Sequence, residues 1–304
     1  MSGVGFILIV LTSLVITGAI IRTKSIYSGR KGPSIFQPFW DIVRLMHKGS
    51  VYSLTSSLIF KIAPSIYFTS VLFASMLIPF GKQPGIFTFQ GDFVVFAYLL
   101  AVGKFFNLLG ALDTGSSFEG MGASREALYS LLVEPAFFTL MGSMALLTGH
   151  TSFVEIFASL HLTSYFSYSV AILTAFVFVM IALVENSRIP VDDPKTHLEL
   201  TMIHEVMILD YSGFDLGLIL YTTHLRFAMY GAIIANLFLT SFTNLYFSIF
   251  VYGVVQLVFA IIIGTVESFL ARFRMNHNPQ FIFTLTSIAL IIFVMVLILM
   301  GKIN

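Results

Sequence analysis

The sequence predicts an all-α, polytopic integral membrane protein with eight transmembrane helices and one amphipathic helix lying in the interface. Three observations predict it. Of 304 residues, 57% are hydrophobic and 10% charged, against about 45–50% apolar and about 25% charged in soluble domains. Eight stretches approach the roughly 20 apolar residues needed to cross a hydrocarbon core of about 30 Å. Lys and Arg fall almost entirely on alternate loops. Such a composition excludes a secreted disulfide scaffold, a nucleic-acid-binding domain and a free cytosolic enzyme. With no cysteine, the chain is expected to hold no thiolate-bound metal, no iron–sulfur cluster and no Cys nucleophile.

The expected spans are 3–21, 62–80, 93–112, 128–148, 165–184, 219–241, 245–265 and 281–301, and five of them carry no charged residue. Residues 3–21 lack a basic leader and a convincing small-residue cleavage site, so they read as a span rather than a signal peptide. The loops after spans one, three, five and seven are 22–61, 113–127, 185–218 and 266–280. They hold twelve of the sixteen Lys and Arg residues: Arg22, Lys24, Arg30, Lys31, Arg44, Lys48, Lys61, Arg125, Arg188, Lys195, Arg272 and Arg274. The opposite side holds Lys82 and Lys302. This bias puts the large loops in the cytoplasm and both termini outside, in the cell (inner/cytoplasmic) membrane. No linker or internal repeat is apparent, although many secondary transporters show a repeat, and 1–304 reads as a single membrane domain.

Within the first loop, FQPFWDIVRLMHK (36–48) is no span. Phe36, Phe39, Trp40, Val43 and Met46 follow helical spacing, while Gln37, Asp41, Arg44 and Lys48 line the other side. That pattern describes a helix in the membrane interface. It reads either as an anchor packing the loop on the spans or as one wall of a lateral entrance for a lipid-soluble molecule.

The loop 112–127, LDTGSSFEGMGASREA, carries Asp113, Glu119, Arg125 and Glu126 among small residues. Gly115, Gly120 and Gly122 permit tight turns, and no GK[ST] follows, so it is no phosphate-binding loop. Packing under the bundle is at least as good a reading as chemistry.

The third large loop holds seven carboxylates: Glu185, Asp192, Asp193, Glu199, Glu205, Asp210 and Asp215. Asp193 followed by Pro194 signals a helix start and Gly213 a stop; His197, Thr201, His204 and Ile208 would share a face. Three readings stand open. One is a solvated acidic loop. A second is a metal site, weakened because Ile208 stands where a HExxH motif starting at His204 needs its second His. The third is a proton-handling or docking surface, since imidazole titrates near neutral pH and crowded carboxylates have raised pKa values. Met202, Ile203, Val206, Met207, Ile208 and Leu209 make the loop too apolar to stay free, which favours burial against a partner.

Ionisable residues inside spans are functional candidates by default. Lys104, Glu134 and Arg226 all lie roughly 9–12 Å below the cytoplasmic edge at about 1.5 Å per residue, which suggests a mutually compensated patch. Lys and Arg can snorkel to the interface, but Glu reaches less far. Glu134 also precedes Pro135, which frees backbone carbonyls, and it is the strongest single candidate. His224 is a weaker companion, and Glu267 reads as the end of span seven.

Long motifs in these loops carry a family resemblance. GRKGPSIFQPFWDIVRLM (29–46) resembles the signature after the first span of the respiratory complex I subunit 1 family. ALDTGSSFEGMGASREALYSLLVEPA (111–136) and ENSRIPVDDPKTHLELTMIHEVMILDYSG (185–213) are similar to its branch in membrane-bound group 4 NiFe hydrogenases, of the hydrogenase-4 component C and formate hydrogenlyase subunit 4 type. The resemblance covers essentially the whole chain. It implies a membrane subunit that anchors a peripheral arm of hydrogenase-like large and small subunits. The NiFe centre and iron–sulfur clusters would sit in those partners. It also implies antiporter-like membrane subunits pumping protons or sodium beside it. In complex I relatives the subunit forms most of the quinone chamber and starts a chain of acidic residues.

Residue by residue, Arg188, Pro190, Asp192, Pro194, Glu199, Leu200 and the run Asp210-Tyr211-Ser212-Gly213 match the third-loop pattern. Glu134 matches the glutamate of the fourth span and Arg125 the arginine before it. Arg30, Gly32, Pro33, Gln37, Pro38 and Asp41 match the first loop. Lys195 and His197 stand where complex I members carry acidic residues, the stretch between Leu200 and Asp210 is longer here, and Ile20 replaces a glutamate. These departures put quinone binding in doubt.

The leading expectation is an anchor and coupling subunit with no catalytic and no metal-binding residue of its own. Its proton pathway would comprise Glu134, Lys104, Arg226, Asp192, Glu199, Glu205, His197, His204 and Asp210. Arg30, Gly32, Pro33, Gln37, Asp41, Arg125, Arg188, Pro190 and Pro194 would dock the arm or hold the loops. One alternative is a quinone site shared with the arm; another is a stand-alone ion or solute transporter.

Overall fold

The computed structural model describes residues 3–160, 165–193, 202–239 and 244–301. Helices α1 (Val4–Tyr27), α3 (Leu58–Leu77), α4 (Asp92–Asp113), α5 (Ser117–Thr148), α7 (Tyr165–Glu185), α9 (Gly213–Leu239), α10 (Leu245–Phe269) and α11 (Asn278–Leu299) are long and apolar enough to cross a membrane. Three short helices, α2 (Gln37–Met46), α6 (Phe153–Ser159) and α8 (His204–Met207), lie between them. Among the described residues there is no strand, only an isolated bridge between Phe80 and Gln83. The eight-span, all-α expectation is borne out.

α9 is the centre of the bundle. It is buried along nearly its whole length and packs against α1, α2, α3, α7 and α10. Its apolar residues are spread around the helix, as suits one surrounded by others, with Thr222, His224, Arg226 and Asn236 buried among them. α11 sits at the rim on α5 and α7, and α4 packs chiefly on α3. At the end opposite the basic loops, buried Asp92 accepts from Phe153 N at 2.7 Å and Ser152 Oγ at 2.9 Å, so the start of α6 is tied to α4. Buried Asn236 likewise holds Gly81 N and Pro79 O, each at 2.8 Å.

α2 forms within the stretch 36–48 that reads as an amphipathic helix. Ile42 is its buried residue, against α9 and α1, while Phe36 and Trp40 remain exposed. Along the loop leading to it, Gly18 of α1 runs so close to the backbone of Ile35 that a Cβ there would overlap the carbonyl.

Two expectations need correction. Only residues 114–116 of the stretch 113–127 form a loop: α5 is helical from Ser117, and its 32 residues rise about 48 Å, well past a hydrocarbon core of about 30 Å. Of the glycines read as turn formers, Gly115 does stand in the short connection before α5, at φ 71°, whereas Gly122 makes room for a neighbour: a Cβ there would stand 2.8 Å from Ile203 O and 3.0 Å from Met207. Nor does Gly213 end a helix begun at Asp193. Residues 194–201 lie outside the described residues, and beyond them the chain forms only the single turn α8 and a further turn at 208–210. Gly213, at φ 53°, opens α9 and touches the Gly49 carbonyl at a distance no side chain permits. A left-handed residue of this kind serves either end of a helix.

Candidate functional site

Four charges meet inside the bundle, contributed by α4, α5, α7 and α9. Lys104 Nζ lies 3.2 Å from Glu126 Oε1 and 3.0 Å from Glu185 Oε2, and donates to Ser130 Oγ at 2.6 Å. Arg226 donates to Glu185 Oε2 and, at 2.8 Å, to the Tyr67 hydroxyl. All four charged residues are buried. The two cations and two carboxylates cancel, which is how such groups survive away from water.

This arrangement differs from the expected patch of Lys104, Glu134 and Arg226. Lys104 and Arg226 do converge, but on Glu185 and Glu126. Glu134 makes no ion pair or hydrogen bond among the described residues and is exposed on the outer face of α5. It nevertheless borders a 40 Å³ cavity with Lys104, Glu185, Ser130 and Tyr230, enough for about two or three waters. Sequence reasoning missed Glu126 because the first turns of α5 read as loop. Once α5 is extended back, Glu126 and Ser130 are i and i+4 neighbours on one face.

A second polar space lies between α1, α2, α9 and the turn after α7. This 330 Å³ cavity is lined by Gln37, Asp41, Ser187, Arg188, Glu205 and His224, among others including Thr17, Pro33 and His204. Arg188 Nε lies 2.7 Å from Glu267 Oε1 and its guanidinium stacks over Phe227. Glu267 also holds Lys24 at 3.6 Å, so it is more than a span terminus. Asp192 organises the far wall: its Oδ2 accepts from Ile203 N at 3.0 Å and His204 N at 3.1 Å, and Oδ1 pairs with Arg272 at 3.1 Å. Burial pushes the Asp192 carboxyl up, opposed by Arg272 and these N–H groups. Burial, reinforced by Asp192 and opposed by Arg188, brings Glu205 up to about 7. His204 is pushed down by burial, against the pull of Glu126 and with the push of Arg226 and Lys104.

The other sequence candidates are placed more simply. Arg125 donates to Met202 O at 3.2 Å and so steadies the entry to α8. Gln37 donates to Asp41 at 2.8 Å on α2. Arg30 and Gly32 lie on the exposed first loop. Pro190 O accepts from Phe273 N at 2.9 Å, joining the third loop to the fourth. Asp210 is exposed, apart from both polar spaces, with its N–H on Glu119 Oε1 at 3.1 Å. Pro194, His197 and Glu199 lie outside the described residues. Among the described residues no group of three or more His, Cys, Asp or Glu is placed to hold a metal ion.

A family model described as NADH dehydrogenase matches residues 2–298. The chain is 31% identical to hydrogenase-4 component C of Escherichia coli (strain K12), over 77% of this chain and 72% of that one. It is 26% identical to formate hydrogenlyase subunit 4 of the same organism, over 83% of each. It is also 24% identical to NADH-quinone oxidoreductase subunit 8 of Rhodothermus marinus, over 69% of this chain and 62% of that one. In fold it matches a chain of the membrane-bound sulfane sulfur reductase, an archaeal respiratory membrane complex, with a TM-score of 0.83 over 96% of both chains at 21% identity. Eight membrane-spanning helices, the family match and these relatives agree: the chain is a multi-pass membrane protein of the NADH dehydrogenase (complex I subunit 1) family, in the branch of hydrogenase-4 component C and formate hydrogenlyase subunit 4.

Proposed function

We propose that this chain is the anchor and coupling subunit of a group 4 hydrogenase-type redox complex, linking a peripheral electron-transfer arm to proton or sodium translocation. The basic loops would face the cytoplasm and receive hydrogenase-like large and small subunits carrying the NiFe centre and iron–sulfur clusters. Antiporter-like membrane subunits would lie alongside. The observation that carries this reading is the buried, mutually cancelling set Lys104, Glu126, Glu185 and Arg226. Its balance changes whenever one carboxylate takes a proton. Glu134, on the outer face next to that set, offers the group through which the change leaves the subunit.

The test uses the assembled complex in proteoliposomes. Glu134→Gln and Glu126→Gln, each unable to carry a proton, should lower the ions moved per electron while the subunits still co-purify. Undiminished pumping in both variants would defeat the reading.

A second reading keeps the family and makes the cavity behind α2 a quinone site. Its size and its mixed lining of Gln37, His204, Glu205 and Phe227 suit a planar head group with hydrogen-bonding oxygens. Quinone-dependent turnover blocked by head-group inhibitors would favour it over the hydrogenase reading.

A further inference from the structure

We propose that a hollow between the first loop, the turn joining α4 to α5 and the start of α9 is the seat of an arginine side chain from the peripheral arm. The inference rests on the anchor reading and names one contact by which the arm is held.

The hollow measures 470 Å³. Tyr52 and Ser56 line it from the first loop, Phe60 from α3, Thr114 from the turn after α4, and Asp210 and Ser212 from the third loop. All of these stand in connections or in the first turn of a helix, at the end where the basic loops gather. A group that enters the hollow therefore comes from beyond the hydrocarbon core and not from another spanning helix. The two sides are stapled together: Val51 N donates to Ser212 Oγ at 2.9 Å, and Asp215 N to Ser50 Oγ at 3.3 Å. Walls built in advance spare a partner the cost of ordering them.

Four carboxylates gather around it. Asp210 lines the hollow and is exposed. Asp215 accepts from the Tyr52 hydroxyl at 2.7 Å, and Asp113 accepts at 2.7 Å from the N–H of Ser57, next to Ser56. Buried Glu119 accepts from Asp210 N at 3.1 Å, and its other oxygen, Oε2, is shielded from solvent with no hydrogen-bond partner among the described residues. None of the four forms an ion pair among the described residues. Against them stands Lys61, whose Nζ lies 5.2 Å from the centre of the Tyr52 ring and so rests on the aromatic face rather than on a carboxylate. The hollow is thus an acidic recess in an end of the molecule otherwise rich in Lys and Arg. Negative charge so poorly balanced attracts a cation.

The walls select among cations. Among the described residues no three His, Asp or Glu side chains are placed to close on one metal ion, so these carboxylates suit a charge spread over a plane better than a bare ion. Aromatic rings stand beside them. Phe60 stacks on Tyr211 with centroids 4.1 Å apart and planes within 3°, and Tyr52 meets Phe60 edge to face at 6.4 Å. A guanidinium lies flat on such rings while its five N–H donors reach several oxygens at once. An ammonium does neither as well. Exposed Val51 and Leu209, also at the hollow, would cover the methylene stem of the same side chain. In the assembly proposed above, the arm is the soluble partner that meets this end.

The complex, purified through a tag on this chain, tests the seat. In Asp210→Lys the arm subunits recovered per copy of the chain should fall about tenfold or more, as reversal of a charge at an interface does. Asp210→Glu should retain them, and the membrane partners should stay in both variants, which excludes a misfolded chain. From the wild-type complex, methylguanidinium chloride should release the arm at a lower concentration than sodium chloride, and Asp210→Ala should abolish that difference. A photo-crosslinking side chain in place of Ser56 should capture an arm subunit at or next to an arginine. Full recovery of the arm in Asp210→Lys would overturn the seat and leave the anchor reading standing. Equal release by the two salts, or a cross-link to a second copy of this chain or to a membrane partner, would do the same. A wild-type chain that brings down no arm would remove the anchor reading and the seat together.

Discussion

Glu205 shows how a single buried carboxylate ties stability to pH. Its pKa is raised to about 7 by burial and Asp192, well above that of the unfolded chain. Between those two values the folded state binds more protons than the unfolded one, so this group's contribution falls as pH rises toward 7 and stays low beyond it. His204 acts in the opposite sense, since its pKa is lowered in the fold and its penalty fades as pH rises. Glu205→Gln isolates the first effect. Relative to the wild-type complex, the variant should gain thermal stability progressively from pH 5 to pH 8. A melting-temperature difference constant across that range would show that Glu205 does not titrate in the fold as described. None of this is readable from sequence. There Glu205 is one of seven carboxylates in a loop, and only the approach of Asp192 and the closing of the cavity distinguish it from Asp210, which lies exposed a turn away.

At the scale of elements, runs of apolar residues announce every spanning helix, because a span must hide its whole circumference from water. What they do not announce are helical turns beyond the hydrocarbon. Glu119, Glu126 and the glycines at 120 and 122 give the start of α5 the composition of a loop, and there it packs against α8, which is distant in sequence. The Gly213 boundary fails for a related reason, since a left-handed glycine marks a helix edge without saying which edge. The start of α5 gives a paired prediction. A side chain on Gly120 meets nothing within 4 Å, so Gly120→Ala should stabilise by about 0.5–1 kcal/mol through backbone entropy alone. Gly122→Leu must displace Ile203 O, Val206 and Met207 and should destabilise by about 1–3 kcal/mol, the usual range for overpacking. Thermal unfolding of the two variants decides it. Equal effects would mean that α8 does not rest on Gly122.

Taken whole, the molecule is electrically lopsided. Eleven of the sixteen cationic residues, all among those described, stand at or beyond the same end of the spanning helices, the end where the cavity behind α2, Asp192 and Glu267 also gather. Insertion favours keeping Lys and Arg in the cytoplasm, and the same asymmetry would set the side from which an electron-transfer arm docks and protons enter. The absence of cysteine makes this directly measurable, because any introduced thiol is the only one in the chain. Ser53→Cys, on the exposed first loop, and Lys82→Cys, on the opposite side, each place a thiol on a short connection away from the buried charges. In intact cells, a membrane-impermeant maleimide should label Lys82→Cys at once and Ser53→Cys only after permeabilisation. In inverted vesicles the order should reverse. The opposite pattern would place the cavity behind α2 on the outer face. Protons would then have to enter from the side toward which the proposed complex would move them, and the proposed direction of coupling would fail along with the orientation.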